Sequence, residues 1–179
     1  MARKDSGTLY LRTVCETDGS NYNSTNLDVS AYVDPLDGKV LRIKKVWAEW
    51  CSDNGGTITA ADIGVDLTSA ATAQLSTISQ DSLKPLTNSA LFFKTQIYAT
   101  TDNTSGNNNI TMMHEDNSMN PADFSDGFYV ASDVIQLGVD SDSPHSFTAN
   151  VECQVLIECE RVKMSEKDAF AIISAQQQD

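Results

Sequence analysis

The residues whose types and spacing come nearest to a metal or catalytic site lie between positions 114 and 126. His114 is followed by Glu115 and Asp116, and an imidazole beside two carboxylates could bind a metal ion or serve acid–base catalysis. Neighbouring residues of an extended chain point in different directions, however, and the whole sequence holds only two histidines. We therefore expect neither a metal centre nor a cofactor here.

A calcium loop is the second chemistry that this region suggests. Asp116, Ser118 and Asn120 have the spacing at which such a loop begins, but Pro121 stands where an EF-hand needs glycine and Gly127 where it needs glutamate. The sequence therefore excludes an EF-hand. A looser calcium site stays open, and its candidate ligands are Asp123, Asp126, Asp140 and Asp142.

Motifs for nucleotide binding and nucleophilic catalysis do not occur in the sequence. It has no phosphate-binding glycine loop, no dinucleotide fingerprint and no Gly-x-Ser-x-Gly turn. Because no catalytic groups cluster, we predict that the chain is not an enzyme.

Four cysteines invite a disulfide or zinc interpretation, but none forms a Cys-x-x-Cys pair: Cys15, Cys51, Cys153 and Cys159. Each lies in an alternating apolar pattern, where a free thiol behaves as a small hydrophobic group. Cys153 and Cys159 are too far apart to bridge, since six residues of strand span about 20 Å. We predict structural core thiols, with a disulfide between different strands or a zinc site as the alternatives.

Charge is distributed unevenly along the 179 residues, whose net charge is −13. The segment from Val46 to Glu160 holds 16 acidic residues and only two basic ones, Lys84 and Lys94, and so carries −14. Such a body repels nucleic acid. We expect no strong direct nucleic-acid binding.

The first eleven residues, "MARKDSGTLYL", contain two basic residues but no apolar core of a secretion signal. No apolar run elsewhere reaches transmembrane length. We expect neither a classical export signal nor a transmembrane segment, and we interpret residues 1–6 as a short N-terminal arm.

Alternation of apolar and polar residues predicts strands through most of the chain. The polar run 17–26 and the long run Thr101 to Asp126 are predicted to be irregular, although "SAATAQL" within 69–75 could also form a helical turn. The predicted strands are 7–16, 40–51, 63–67, 74–78, 90–100, 127–132, 133–139 and one that begins at His145 and continues to about Glu160.

The pattern of the strand from Val40 to Cys51 contains a slip. Leu41 and Ile43 alternate on one parity and Val46 and Trp50 on the other. One extra residue in a strand shifts the parity in this way. The sequence therefore predicts a β-bulge at 44–45.

The most ordered stretch is "VECQVLIECERVKMSEKDAF", 151–170. It combines a half-buried strand with a helix predicted over 165–176, whose N-cap is Ser165 and whose Asp168 approximates a capping box. A helix of about three turns is marginal alone in water, so it must pack on its own sheet or on a neighbouring subunit.

The basic residues Arg161, Lys163 and Lys167 mark a change of charge sign at the end of the acidic body. We interpret them as a contact for a neighbouring copy. Phe170 and Ile173 are predicted to pack at or near the same subunit boundary. On this view, deleting the helix spares the fold and impairs assembly.

Together these patterns predict an all-β fold, a single jelly roll or antiparallel β-sandwich of about eight strands with a short C-terminal helix, in one domain over 1–179. Three stretches resemble single jelly-roll major capsid proteins of tailless icosahedral viruses of marine prokaryotes: "LDVSAYVDPLDGKVLRIKKVWAEW", "GFYVASDVIQLGVDS" and "VLIECERVKMSEKDAFAIISAQQ". The resemblance covers about a third of the chain.

The resemblance implies a structural viral protein that is made in the host cytoplasm and self-assembles into the shell of the virion. Its partners would be copies of itself and a second, minor capsid protein. Arg3 and Lys4 are too few for the basic genome-binding arm of many capsid proteins. The genome would then be held by other proteins, by an internal membrane, or only weakly.

Two other interpretations remain. The chain could be a carbohydrate- or receptor-binding β-sandwich, calcium-dependent or not, with its site in the loops Thr101 to Asp126 and Asp140 to Ser146. It could also be a subunit of a structural layer or appendage, which shares the expectation of assembly.

Overall fold

The computed structural model of the protein describes residues 3–104, 106–141 and 144–177, and the side chains of these except 3–6 and 54. It contains nine strands in this part of the chain, three short 3-10 helices and two α-helices. The strands are β1 Arg3–Glu16, β2 Asn23–Asp28, β3 Lys39–Ser52, β4 Thr68–Ser76, β5 Leu91–Asp102, β6 Asn109–Met119, β7 Phe128–Val130, β8 Val134–Asp140 and β9 Val151–Lys163. The α-helices are α1 Ala60–Ile63 and α2 Glu166–Gln176; the 3-10 helices are Pro35–Asp37, Asp53–Gly55 and Pro121–Asp123.

The strands form two antiparallel sheets. One has four strands in the order β1-β9-β3-β7, and the other has five in the order β2-β8-β4-β5-β6. From β1 to β5, and again from β7 to β9, each successive strand crosses to the opposite sheet except between β4 and β5. This is the strand order of a jelly roll, with β6 added at one edge. The predicted fold is confirmed.

The core lies between the two sheets and is built from one parity of each strand. Ile157 and Cys159 of β9 face Ile97 of β5 and Leu137 of β8 across it, and all four side chains are fully buried. The opposite parity of β9 is mostly half-buried. The alternation in the sequence therefore identified the inner face of the long strand correctly.

The predicted bulge is present in β3. Its pairing with β9 shifts between Ile43 and Lys45, so Lys44 is the extra residue. The consequence is that Leu41 and Ile43 before the bulge, and Val46 and Trp50 after it, all reach the core.

Two strands lie in stretches that the sequence predicts to be irregular. β2 occupies the end of the polar run 17–26, and β6 lies inside the run from Thr101 to Asp126. The side chains of both are largely exposed, and β6 pairs only with β5. No described residue of β6 belongs to the core, and β2 contributes only Leu27 to it. Edge strands of this kind need no apolar alternation, which is why the pattern missed both.

Two further boundaries differ from the prediction. The stretch 63–67 is not a strand: α1 ends at Ile63, and Gly64 and Asp66 adopt positive φ angles of 105° and 51°. β9 begins at Val151 rather than at His145, because the Thr148 amide donates to the Asp62 carbonyl at 2.7 Å instead of to a sheet. Phe147 is nevertheless buried, which explains its place in the apolar pattern.

The ends of the chain follow the prediction more closely. Ser165 is the N-cap of α2, and its Oγ accepts a hydrogen bond from the Asp168 amide at 3.1 Å. β1 reaches back to Arg3, four residues before the predicted start, so part of the proposed arm 1–6 is paired with β9. Residues 1 and 2 of that arm, and Asp142 of the suggested calcium loop, lie outside the described residues.

Candidate assembly surface

Helix α2 packs on its own domain, over one end of the four-stranded sheet. Ala169 on the helix is fully buried in a small second core. The other buried members of that core are Val40 of β3, Val162 of β9 and Ala131, and Tyr129, Met164, Ile172 and Ile173 pack against it.

Polar contacts hold both ends of α2 in place. The Gln176 side chain donates to the Tyr129 carbonyl at 2.7 Å, and Ser89 Oγ donates to the Ala175 carbonyl at the same distance. At the other end, a Cβ on Gly38 would lie 2.2 Å from the Met164 carbonyl oxygen. The corner before β3 and the entry to the helix therefore fit only with glycine at 38, whose φ is 67°.

The predicted contact residues divide into two groups in this arrangement. Ile173 is half-buried on the second core, so it packs within the chain, whereas Phe170 is 42% exposed. Lys163 and Lys167 are exposed, and Arg161 is half-buried. Phe170 and the two lysines are thus the members that can meet a neighbouring copy.

Lys163 already has a partner within the chain. Lys163 of β9 is paired with Lys39 of β3. Asp37 forms ion pairs with both lysines, and its Oδ1 lies 3.6 Å from Lys163 Nζ. The hydrogen bond from Lys39 and the charge of Lys163 lower the pKa of the Asp37 carboxyl below its ordinary value. The positive charge of Arg161, Lys163 and Lys167 is therefore partly neutralised. This weakens the electrostatic attraction that these residues could exert on a neighbouring copy.

A buried ion pair, which the sequence analysis did not find, lies beside this region. Glu160 is fully buried and forms ion pairs with Arg42 and, at 2.9 Å, with Lys44 Nζ. The pair depends on the strand register and on the bulge that places Lys44 at the same carboxylate. The register of β3 against β9 cannot be seen in the sequence, so no sequence pattern indicated the contact of Glu160 with Arg42 and Lys44.

The outer face of the four-stranded sheet, away from α2, has an unusual composition. It carries three exposed apolar side chains, Tyr10 at 54%, Val14 at 45% and Trp47 at 39% exposure. A groove of about 590 Å³ lies beside Val14 and Trp47, lined in part by Arg12, Glu49, Gln154 and Leu156. From here on, "the outer face" means this set: Tyr10, Arg12, Val14 and Glu16 of β1, Glu152, Gln154, Leu156 and Glu158 of β9, and Lys45, Trp47 and Glu49 of β3.

The free edge of β3 beyond its short pairing with β7 is closed by side chains. Asn120 accepts a hydrogen bond from the Val46 amide at 3.2 Å and donates to the Val46 carbonyl at 2.7 Å. Further along, the Glu115 carboxylate accepts from the Trp50 backbone, while burial raises the pKa of Glu115. Asn120 and Glu115, which the sequence suggested as possible metal ligands, therefore contact the free edge of β3 instead.

The other candidate chemistry finds no support in the described part of the chain. No three His, Cys, Asp or Glu side chains among the described residues come together as a metal site. His114 lies on exposed β6, opposite Tyr98. Asn120 and Asp123 form the capping box of a 3-10 helix.

The four cysteines are free and buried, as expected for core thiols. Cys15 and Cys153 are directly opposite each other on β1 and β9. Burial raises the pKa of every one of these thiols, to about 11 for Cys51 and to about 12 for Cys159. The thiols are therefore protonated and unreactive at neutral pH.

Among the described residues, no helix has the length and apolar character needed to cross a membrane. No protein-family model matches the chain, and neither does any curated protein compared with it.

Proposed function

We propose that this chain is the major capsid protein of a tailless icosahedral virus and that it self-assembles into the virion shell. The observation that carries the proposal is the jelly-roll strand order, β1-β9-β3-β7 packed on β2-β8-β4-β5. This fold is shared by viral capsid proteins, lectin domains and cupins. The three stretches that resemble such capsid proteins fall on β2 to β3, on β7 to β8, and on β9 with α2.

The surface of the chain supports an assembling subunit. Tyr10, Val14 and Trp47 are exposed apolar groups on one face of the four-stranded sheet. Large apolar groups gathered on one surface mark a contact with another molecule more often than a solvent-facing surface. Phe170 and Leu36, at 42% and 73% exposure, add apolar groups near the α2 end.

The charge of the chain fits a subunit that must stay dispersed before it assembles. A net charge of −13 keeps single copies apart by repulsion. The contacts between copies must then overcome that repulsion locally. We expect them where the basic residues are concentrated, and expect the packaged genome to be held by other components.

A carbohydrate-binding module is the second candidate, and one observation favours it. The groove on the outer face places Trp47 beside Arg12, Glu49 and Gln154. An aromatic ring with polar groups around it is a suitable site for a sugar, because the ring covers the apolar face of the sugar and the polar groups orient its hydroxyls. This candidate site is on a sheet face rather than in the loops that the sequence suggested.

Self-association separates the two functions. The purified chain at high concentration, examined by sedimentation velocity and negative-stain imaging over a range of salt concentrations, is expected to give capsomers or closed shells. A strictly monomeric chain under all these conditions would exclude the capsid function. Quenching of Trp47 fluorescence by soluble oligosaccharides would then favour the binding module.

A further inference from the structure

The two sheets of the sandwich differ in how their outward faces are covered. On the five-stranded sheet, two glutamine side chains hold the loop 77–90 against the sheet by hydrogen bonds. Gln74, fully buried, donates to the Ser82 carbonyl at 3.0 Å and accepts from the Lys84 amide at 2.8 Å, and Gln136 accepts from the Gln80 amide at 2.6 Å. In the part of the chain that the structure describes, the outer face of the four-stranded sheet has no such cover beyond α2.

Charge on that uncovered sheet is polarised along the strands. The half nearer α2 holds three cations and two carboxylates, a net charge of +1, with Glu160 neutralised by its ion pairs, and Arg12 adds a positive charge in the central row. Among the described side chains, the other end holds three carboxylates and no cation, a net charge of −3. The residues of the first half are Arg42, Lys44, Lys45, Glu158 and Glu160; those of the second are Glu16, Glu49 and Glu152.

This polarity suits a second copy of the same chain. In a two-fold pair, each copy presents the same surface to the other, so the surface must complement itself. If the strands of the two copies run antiparallel across the interface, the basic half of each lies on the acidic end of the other. A parallel arrangement instead places like charges together, which disfavours it.

The apolar groups lie where the two charged halves meet. Leu156 lies at the centre of its row, between Arg12 of β1 and Trp47 of β3. Lys45 Nζ lies 4.7 Å from the centroid of the Trp47 ring, which holds the ring against the sheet by a cation–π contact. An aromatic group fixed at the centre of a patch, with charges at its rim, is the usual arrangement of an interface.

We propose that the outer face is the contact by which two copies of this chain pair antiparallel, and this rests on the proposed function in shell assembly. Two of the chain's twelve basic residues, Arg12 and Lys45, lie on the outer face, and Arg42 and Lys44 lie beside it, although copies of net charge −13 repel one another elsewhere. From Tyr10 to Glu16 the patch is only about 20 Å long. Each contact is therefore weak, and the shell is held by many such contacts.

The test exchanges the charges of two exposed residues on β3, Lys45 and Glu49. Each single variant, Lys45→Glu or Glu49→Lys, places like charges across the pair, and we expect each to self-associate about tenfold more weakly than the unchanged chain. An equal mixture of the two variants restores opposite charges in the mixed pair. We therefore expect the mixture, measured by sedimentation equilibrium with one variant labelled, to associate about as well as the unchanged chain.

Asp81→Lys is the matched control, because it makes the same change of charge as Glu49→Lys at an exposed position in the loop 77–90, which covers the other sheet. It should leave association unchanged or slightly stronger. If each single variant associates like the unchanged chain, or if mixing them gives no recovery, the inference is wrong while the proposed function stands.

A charge-dependent pair that never forms larger assemblies would instead support this interface and contradict the capsid function. A chain that stays monomeric, including one that binds oligosaccharide at Trp47, would overturn both. Melting temperatures of the variants by circular dichroism show whether the fold is intact, and we expect them within a few degrees of the unchanged chain.

Discussion

The side-chain amide of Asn120 forms hydrogen bonds to both backbone groups of Val46, at 3.2 Å to the amide nitrogen and 2.7 Å to the carbonyl oxygen. Asn120 takes the place of a neighbouring strand, because β7 pairs with β3 only at Leu41 to Ile43. The contact closes one side of the sandwich and leaves no unpaired backbone edge at that point for another chain.

Replacing Asn120 by alanine should therefore destabilise the fold. Three hydrogen bonds are lost, two to the partly buried backbone groups of Val46 and one from the Ala122 amide, which Asn120 caps. At about 1 kcal/mol each, we expect the free energy of unfolding in urea to fall by about 2–3 kcal/mol. Asn117→Ala, on the exposed surface of β6, is the control and should cost less than about 0.5 kcal/mol. Equal losses in the two variants would show that Asn120 does not have this role.

Glu160 should be the most sensitive charged residue of the fold. Glu160→Gln leaves Arg42 and Lys44 without their shared carboxylate, and breaking a buried ion pair costs about 3–5 kcal/mol. Since the two cations are about 28% and 34% exposed, water recovers part of that loss, and we expect about 2–3 kcal/mol in urea unfolding.

Glu158→Gln provides the comparison for Glu160, since Glu158 lies two residues away on the same strand and is only half-buried. We expect it to change the free energy of unfolding by less than about 1 kcal/mol. If both variants are equally stable, the buried ion pair contributes little.

The exposed and buried residues of α2 should have separable effects. Ala169→Asp places a charge in the second core and should lower the free energy of unfolding by more than about 3 kcal/mol. Phe170→Ser, at a position 42% exposed, should cost less than about 1 kcal/mol and yet weaken assembly. Sedimentation velocity and urea unfolding of both variants measure the two effects.

Deletion of the whole helix is a less selective test than the sequence suggested. It uncovers Val40, Ala131 and Val162 together, so we expect a loss of stability in addition to any loss of assembly. A Phe170→Ser chain that assembles normally would remove Phe170 from the contact between copies.

Deprotonation of the cysteine thiols should lower the free energy of unfolding at alkaline pH. The ordinary thiol pKa is near 9, and burial raises it to about 12 for Cys159 and about 11 for Cys51 in the folded chain. The thiols of the unfolded chain therefore lose their protons at a lower pH than those of the folded chain. Their contribution to the free energy of unfolding is fully present below about pH 9 and is lost as the pH rises above it.

The measurement is the free energy of unfolding in urea at pH 8 and at pH 10.5. Cys159→Ala should be less stable than the unchanged chain at pH 8 because of the cavity, but should lose less stability between the two pH values. An identical loss in both chains would contradict the raised pKa. In the folded chain at pH 8, the thiols should react with a disulfide reagent only on unfolding.

The sequence pattern predicted well those features that depend on a buried face. The bulge at Lys44, the inner parity of β9 and the cap at Ser165 each leave a local mark, in the form of a parity change or a capping residue. A strand with no buried face leaves no such mark. For this reason β6 was predicted as an irregular loop although it spans eleven residues.

The candidate surface was predictable only in part. Phe170 and Lys163 stand out in the sequence by type, but whether they face a neighbour depends on how α2 packs, and Ile173 proved to face inward. The outer face joins residues of three strands that are far apart along the chain, such as Arg12, Leu156 and Trp47. Only the strand register brings these together.

The most direct test of shell formation is cryo-electron microscopy of the native assembly that contains this chain. The capsid function predicts closed icosahedral particles in which a nine-stranded jelly roll with a terminal helix repeats over the whole shell. Particles that lack the chain, or density that places it only in an appendage, would contradict the proposal.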